Sequence, residues 1–292
     1  MSEQESQDRG KKVFFLNPHS VVQEELILNI LMNEYEAYMI KDHVRLRPLL
    51  AEFNDSILFV NIDAEVKGLS WAEYIKSIMS TEATMGVKIG VISTSENKEL
   101  MKTYLVDLAV PCGYIRLRMG VEESTRLVLK ALRESQAMGK RKFVRARCDS
   151  SSLASFNIKY LGRYHNGIIH DISSSGMAGS FESGLRLELG SRLGDMQLKL
   201  RTRLVRISGA VAGKRAEKNE RELYVILFDR ETAGDVKLKL HSFIHEVLQA
   251  EIEKKMTLGS APRPEVRPET PTSRPAVEDE ERSTDKSPRE EA

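Results

Sequence analysis

The strongest constraint in this sequence is a change of hydrophobic period near Gly139. Upstream of it, short runs that are apolar on nearly every residue alternate with helical patterns. "VFFLN", from Val13, reads as a buried strand, and the stretch Val21 to Tyr35 places Val22, Leu26, Ile27, Ile30, Leu31 and Met32 on one helical face. "EAYMI", "SILFVNID", "VKIGVIST" and "GYIRLRM" read as four further strands. Between and after them lie helical "VRLRPLLAEF", with Pro48 marking a break, then "SWAEYIKSIM", "NKELMKTYLV" and "VEESTRLVLKALRESQ". Strands alternating with helices imply βαβ units on a parallel sheet, and near-continuous apolarity fits strands buried on both faces. Residues 11–137 are therefore expected to form an α/β sandwich.

Downstream the pattern shortens. "RARC", "LASFNIKYL", "NGIIHDIS", "MAGSFE", "LRLEL", "DMQLKLRTRLVRISGAVAG" and "ELYVILFD" are strand-like and separated by Gly and Ser. That spacing predicts an antiparallel barrel or sandwich. "AGDVKLKLHSFIHEVLQAEIEKK" then reads as a helix, with Leu240, Phe243, Ile244, Val247 and Leu248 on the face that meets the barrel. This second domain covers 138–256. Residues 257–292 hold most of the nine prolines and few aliphatic side chains, so they are expected to be disordered, as are residues 1–10.

Composition excludes several classes. The 292 residues carry a net charge of +1, so no global field marks a nucleic-acid binder. The two cysteines, Cys112 and Cys148, make no disulfide framework and suit a reducing compartment. No signal-peptide core opens the chain, and no apolar run approaches the roughly 20 residues of a spanning helix. A cytoplasmic protein that does not insert into a membrane is expected.

The near-neutral total conceals a local concentration. "KRKFVRARC" places five cationic side chains in nine residues at the seam between the two textures. A second string, "HDISSSG", from His170 to Gly176, offers the Asp171 carboxylate, three hydroxyls and a glycine that can take positive φ or admit a close approach. Arginine forks match phosphate oxygens and the O6/N7 edge of guanine. A carboxylate is the natural acceptor for the N1–H and N2–H donors of the opposite guanine edge, and serine hydroxyls can complete the polar contacts. One ligand bearing phosphates and guanines would satisfy both strings together. No "GxxxxGK[ST]" phosphate loop occurs.

The two strings resemble the signature of the PilZ domain, RxxxR followed after a few tens of residues by [D/N]xSxxG. Here they are Arg141-Lys-Phe-Val-Arg145 and Asp171-Ile-Ser173-Ser-Ser-Gly176. The resemblance continues through "LELGSRLGDMQLKL", "RISGAVAG" and "YVILFD", covering about 139–254. It implies a six-stranded antiparallel barrel with a C-terminal helix, and a receptor, not an enzyme, for cyclic di-GMP. Arg141 and Arg145, on a flexible segment before the first strand, would swing over the ligand. Asp171 and Ser173 would contact it from the barrel wall, with Gly176 keeping the approach clear and Lys140 a secondary phosphate contact. It implies no catalytic residue, no metal and no cofactor other than this ligand, taken as one molecule or as a stacked pair.

The first half resembles the receiver fold of response regulators, with departures that matter. Asn17-Pro18 stands where receivers carry the acidic pair for Mg²⁺, and neutral groups hold that hard cation poorly. The phosphoacceptor position falls at Asn61, with Asp63 two residues on, the switch hydroxyl at Thr94 or Ser95, and Leu117, between Arg116 and Arg118, in place of the lysine. A pseudo-receiver that dimerises, transmits a change from the barrel or engages an as yet unidentified protein partner is expected. The alternatives are a phosphorylated response regulator with an output barrel and a nucleic-acid-binding protein using the basic 139–256 face, with a PilZ fold that no longer binds ligand; against nucleic-acid binding, aromatic stacking residues are sparse and no groove-reading helix is evident.

Other chemistry-bearing residues read blandly. His241 and His245 are one turn apart, but without HExxH or a cysteine pair they read as capping or surface residues. Cys148 reads as a strand cysteine, and Arg201, Arg203 and Arg206 as surface charge.

Overall fold

The computed structural model describes residues 10–18, 23–117, 120–148, 150–216 and 222–258. The ends expected to be disordered lie outside these residues, save Gly10, Thr257 and Leu258, as do Val22 and Arg118. The described residues belong to one compact unit.

The N-terminal lobe runs β1 (Val13–Leu16), α1 (Gln23–Met32), β2 (Ala37–Ile40), α2 (His43–Glu52), β3 (Ile57–Asn61), α3 (Trp71–Ser80), β4 (Lys88–Ser93), α4 (Lys98–Lys102), β5 (Tyr114–Arg116) and α5 (Gly120–Glu134). The strands are all parallel, in the order β2-β1-β3-β4-β5, the doubly wound order of flavodoxin-like and receiver folds. Burial on both faces follows from the pleat. Val13 and Phe15 of β1 meet Leu26, Ile27 and Leu31 of α1 and Val128 and Leu132 of α5. Phe14 and Leu16 point the other way, toward Leu46 and Leu50 of α2 and Tyr74 and Ile78 of α3. Met32, expected on the apolar face of α1, is 46% exposed at the helix end.

Pro48 does not break its helix. Asp42 caps the N-terminus by accepting from the Val44 and Arg45 amides at 2.9 and 3.0 Å, and Leu46, Leu49 and Leu50 anchor the turns around the proline. The carbonyl that loses its partner to Pro48, one turn back at Val44, belongs to a residue that is 63% exposed, where water can replace the bond.

The barrel lobe comprises β6 (Arg145–Arg147), β7 (Ala154–Tyr160), β8 (Arg163–Ser173), β9 (Gly176–Phe181), β10 (Arg192–Leu200), β11 (Arg203–Ala216) and β12 (Glu222–Phe228). Six of them form a closed antiparallel ring, β8-β7-β10-β11-β12-β9, because β9 pairs back to β8. The seventh, β6, lies along β8 beyond the end of β7. Phe156, Phe181 and Tyr224 stack edge to face through the interior at centroid distances of 5.1 and 5.5 Å.

Two strand expectations change. "LRLEL" makes no strand: the Tyr224 hydroxyl accepts from the Leu187 amide at 3.1 Å, lies 3.2 Å from the Leu185 carbonyl and donates to the Glu222 carboxylate, so a side chain meets this segment where a strand would. "DMQLKLRTRLVRISGAVAG" divides into β10 and β11 at a tight turn, where Arg201 adopts φ +55°.

The last helix, α6 (Gly234–Leu258), buries Leu240, Phe243, Ile244, Val247 and Leu248 as the sequence predicts, together with His241 and Ile252. It packs on the barrel and also on β2, the edge strand of the parallel sheet. Among the described residues no helix is long and apolar enough to cross a membrane.

Candidate ligand-binding site at the seam

Strand β6 decides the geometry of the cationic segment. Ala146 is fully buried, so the pleat turns Arg145 and Arg147 outward on one face. The register sets Arg147 opposite Asp171 and Arg145 opposite Ser173. Asp171 is thus the backbone partner of Arg147, and its Oδ1 lies 3.9 Å from Arg145 Nη1. At that distance the pair is an exposed ionic contact that a better-fitting ligand can replace.

These residues border a cavity of about 720 Å³, within the usual size range of small-molecule sites. Arg141, Arg145, Arg147 and Asp171 line it from the seam and β8, Arg215 from the far end of β11, and Lys254 from α6. Arg215 faces the same side as Asp171. The row Asp171, Ala178, Val225, Gly213 crosses four adjacent strands, and Arg215 lies two residues beyond Gly213. Two other lining cations are engaged, Lys12 with Glu36 and Lys255 with Glu52. Among the described residues, Arg141, Arg147, Arg215 and Lys254 make no ion pair with a carboxylate. Cations around a concave surface create a local field that favours an anion.

The structure brings Arg141, Arg145 and Asp171 together and sets the remaining expected residues elsewhere. Ser173 is 5% exposed and does not line the cavity. Its hydroxyl donates to the Gly176 carbonyl at 3.1 Å and accepts from the Ser175 amide at 3.3 Å, bracing the β8–β9 turn. Gly176 has no positive φ; a Cβ there would lie 2.6 Å from the Ile226 carbonyl oxygen, so glycine is required by the approach of β12. Lys140 is exposed and outside the cavity lining.

One residue that the sequence reading passes over is Glu34. Its carboxylate lines the cavity, accepts from the Val144 amide at 2.9 Å and from the Ser174 hydroxyl at 2.6 Å, and lies 3.2 Å from His241 Nε2. The usable signal was an acidic residue where a helix C-terminus prefers Gly or Asn. His241 is 5% exposed, not a surface or capping residue, and its Nδ1 lies 2.8 Å from the Lys237 carbonyl. Arg203 likewise departs from plain surface charge, pairing through both terminal nitrogens with Glu246 and holding that carboxylate below its usual range. Cys148 is buried. Among the described residues no cluster of three His, Cys, Asp or Glu could hold a metal.

The switch end of the parallel sheet has its polar groups consumed internally. Asp63 accepts from the Ser93 hydroxyl at 2.5 Å and from the Thr94 amide and hydroxyl at 2.6 and 2.7 Å. Asn61, 5% exposed, donates to the Asn17 carbonyl at 2.8 Å.

No protein-family model matches the sequence, and no curated protein matches it. The solved structures it resembles include PilZ-domain proteins and a response regulator. The PilZ domain of YcgR from Escherichia coli, with c-di-GMP, shares 14% identity at a TM-score of 0.35, over 40% of this chain and 97% of that one. The K. pneumonia MrkH–c-di-GMP complex shares 16% identity at a TM-score of 0.33, over 42% and 57%. The Mn(2+)-bound form of the response regulator Rcp1 shares 14% identity at a TM-score of 0.34, over 42% and 91%. The chain spans 51% of the longer YcgR structure and 57% of MrkH. Likenesses at this level leave what the chain binds to be decided by its own residues.

Proposed function

We propose that this protein is a non-enzymatic receptor for cyclic di-GMP, held in the seam cavity. The observation that carries the reading is that Arg141, Arg145 and Asp171 border one cavity although they come from two separate strings. Arg141 and Arg145 grip phosphate oxygens and guanine O6/N7 edges as bidentate donors. Asp171 accepts from the N1–H and N2–H donors of a guanine. Ser173 and Gly176 serve the same site by fixing the β8–β9 turn that presents Asp171. Loss of a charge-assisted contact costs about 1.5–3 kcal/mol, so removing either arginine lowers affinity roughly tenfold or more.

Coupling to the rest of the chain is part of the proposal. The cavity is bordered by the N-terminal lobe and α6 as well as by the barrel, so an occupant there bears on the contacts between them. Such a change at a seam is a recognised switching mode. With Asp63 occupied by internal hydrogen bonds, the role proposed for the N-terminal lobe is contact with a protein partner, not phosphorylation.

The test is equilibrium dialysis with cyclic di-GMP and cyclic di-AMP. The reading expects retention of cyclic di-GMP that weakens with salt, and poor retention of the adenine analogue, which offers Asp171 no N1–H/N2–H pair. Equal retention of both would leave a phosphate site without guanine recognition; retention of neither abandons the proposal.

A further inference from the structure

Glu34 ends α1 in a conformation that suits another residue. Its amide donates to the Leu31 carbonyl at 2.8 Å, and the Tyr35 amide to the Ile30 carbonyl at 3.3 Å. That pair of bonds is a Schellman motif, whose left-handed position is normally filled by glycine. Here glutamate takes it, at φ +62°. A side chain with a Cβ is disfavoured in that region, so the backbone alone does not account for Glu34; its carboxylate does.

That carboxylate reaches both strings of the proposed site. Oε2 accepts from the Val144 amide, which lies between Arg141 and Arg145 in sequence. Oε1 accepts from the Ser174 hydroxyl, inside the turn that follows Asp171. The same oxygen faces His241 Nε2 on α6, and the other ring nitrogen meets the Lys237 carbonyl. Both ring nitrogens thus meet oxygen atoms, one on Glu34 and one on the backbone of α6. With side-chain exposures of 14% for Glu34 and 6% for His241, these contacts are shielded from water, where hydrogen bonds to a charged acceptor are strongest.

We infer that Glu34 is a positioning residue of the ligand site: a carboxylate of the N-terminal lobe that fixes the arginine segment and the β8–β9 turn relative to one another. Its oxygens are turned to protein donors, so it lines the cavity without facing the cations across it. The inference rests on the receptor reading for its effect on affinity, but its structural half stands independently.

Glu34→Gly separates the two roles, because glycine suits the backbone position and keeps the helix end while deleting the carboxylate. Glu34→Gln keeps the shape and removes the charge. In full-length protein without ligand, hydrogen exchange at Val144 and through 141–145 should quicken about tenfold or more in both variants, while Glu34→Gly keeps the end of α1. Unchanged exchange there overturns the inference whether or not cyclic di-GMP binds. With cyclic di-GMP, both variants should bind about tenfold more weakly. In a background lacking Arg145 the Glu34 substitution should add little, because coupled residues are not additive. Wild-type affinity in Glu34→Gly, or a loss fully additive with Arg145→Ala, overturns it too. Absence of binding to the wild-type chain, with quickened exchange in the variants, overturns the receptor reading and leaves the positioning role standing.

Discussion

The carboxamide of Gln249 pairs with the backbone of Met39 as a further strand would, donating to its carbonyl at 2.7 Å and accepting from its amide at 3.0 Å. Met39 lies in β2, at the edge of the parallel sheet, where backbone groups otherwise stand open. One side chain of α6 thereby closes that edge and joins the lobes. Gln249→Leu leaves the amide and carbonyl of Met39 unmatched and should cost about 1–3 kcal/mol in urea unfolding. A change inside about 0.5 kcal/mol would mean the contact adds nothing to stability.

Acid should loosen the last helix. Burial pushes the His245 imidazole below its ordinary value of 6.5, against the pull of Glu246 and Glu253, and its Nε2 has no hydrogen-bond partner among the described residues. Below that ordinary value the unfolded chain takes a proton that the folded chain resists, so stability rises with pH through this window. Glu246 acts with the same sign lower down. Its folded value is held below 4.5 by the hydrogen bonds from Arg203, so its contribution is present above 4.5 and is lost as pH falls through the lowered folded value. Replacing His245 by Phe should flatten the stability profile just below pH 6.5 and leave the lower limb in place. A profile unchanged by the substitution would contradict this account of His245.

Much of the fold was legible because hydrophobic period is a local property. Leu240, Phe243, Ile244, Val247 and Leu248 form one stripe in sequence and one buried face in space. Helix α2 was misjudged at Pro48 because local propensity omits the leucines that anchor it. "LRLEL" was misjudged because its hydrogen bonds go to a hydroxyl 37 residues away, at Tyr224. In the site, Arg141, Arg145 and Asp171 could be read because their chemistry is local, whereas Glu34 acts through Val144, 110 residues distant, and Ser174, 140 residues distant. No spacing rule reaches that far. Gly176 has a role that its place in the string does not reveal: it admits the close approach of β12.

The N-terminal lobe should not take up a phosphoryl group. Incubation with labelled acetyl phosphate and Mg²⁺ should leave the chain unlabelled, since the Asp63 oxygens already accept from Ser93 and Thr94. Asp63→Ala should instead act on stability, by about 1–3 kcal/mol, through the fully buried Ser93 hydroxyl it strands. Stable label that disappears in Asp63→Ala would overturn the reading.

Gly176→Ala should damage the barrel before it damages recognition. The added methyl meets backbone at 2.6 Å, and forced overpacking of this kind costs about 1–3 kcal/mol. Thermal unfolding of the variant should show that loss. A midpoint equal to wild type would assign Gly176 to the ligand instead.

Calorimetric titration of cyclic di-GMP into the full chain, beside Arg141→Ala/Arg145→Ala, weighs the receptor reading as a whole. Saturable binding tighter than about 100 µM, weakened at least a hundredfold by the double substitution, is the expected result. No heat of binding to the wild-type chain, or equal affinity in the doubly substituted one, would contradict it.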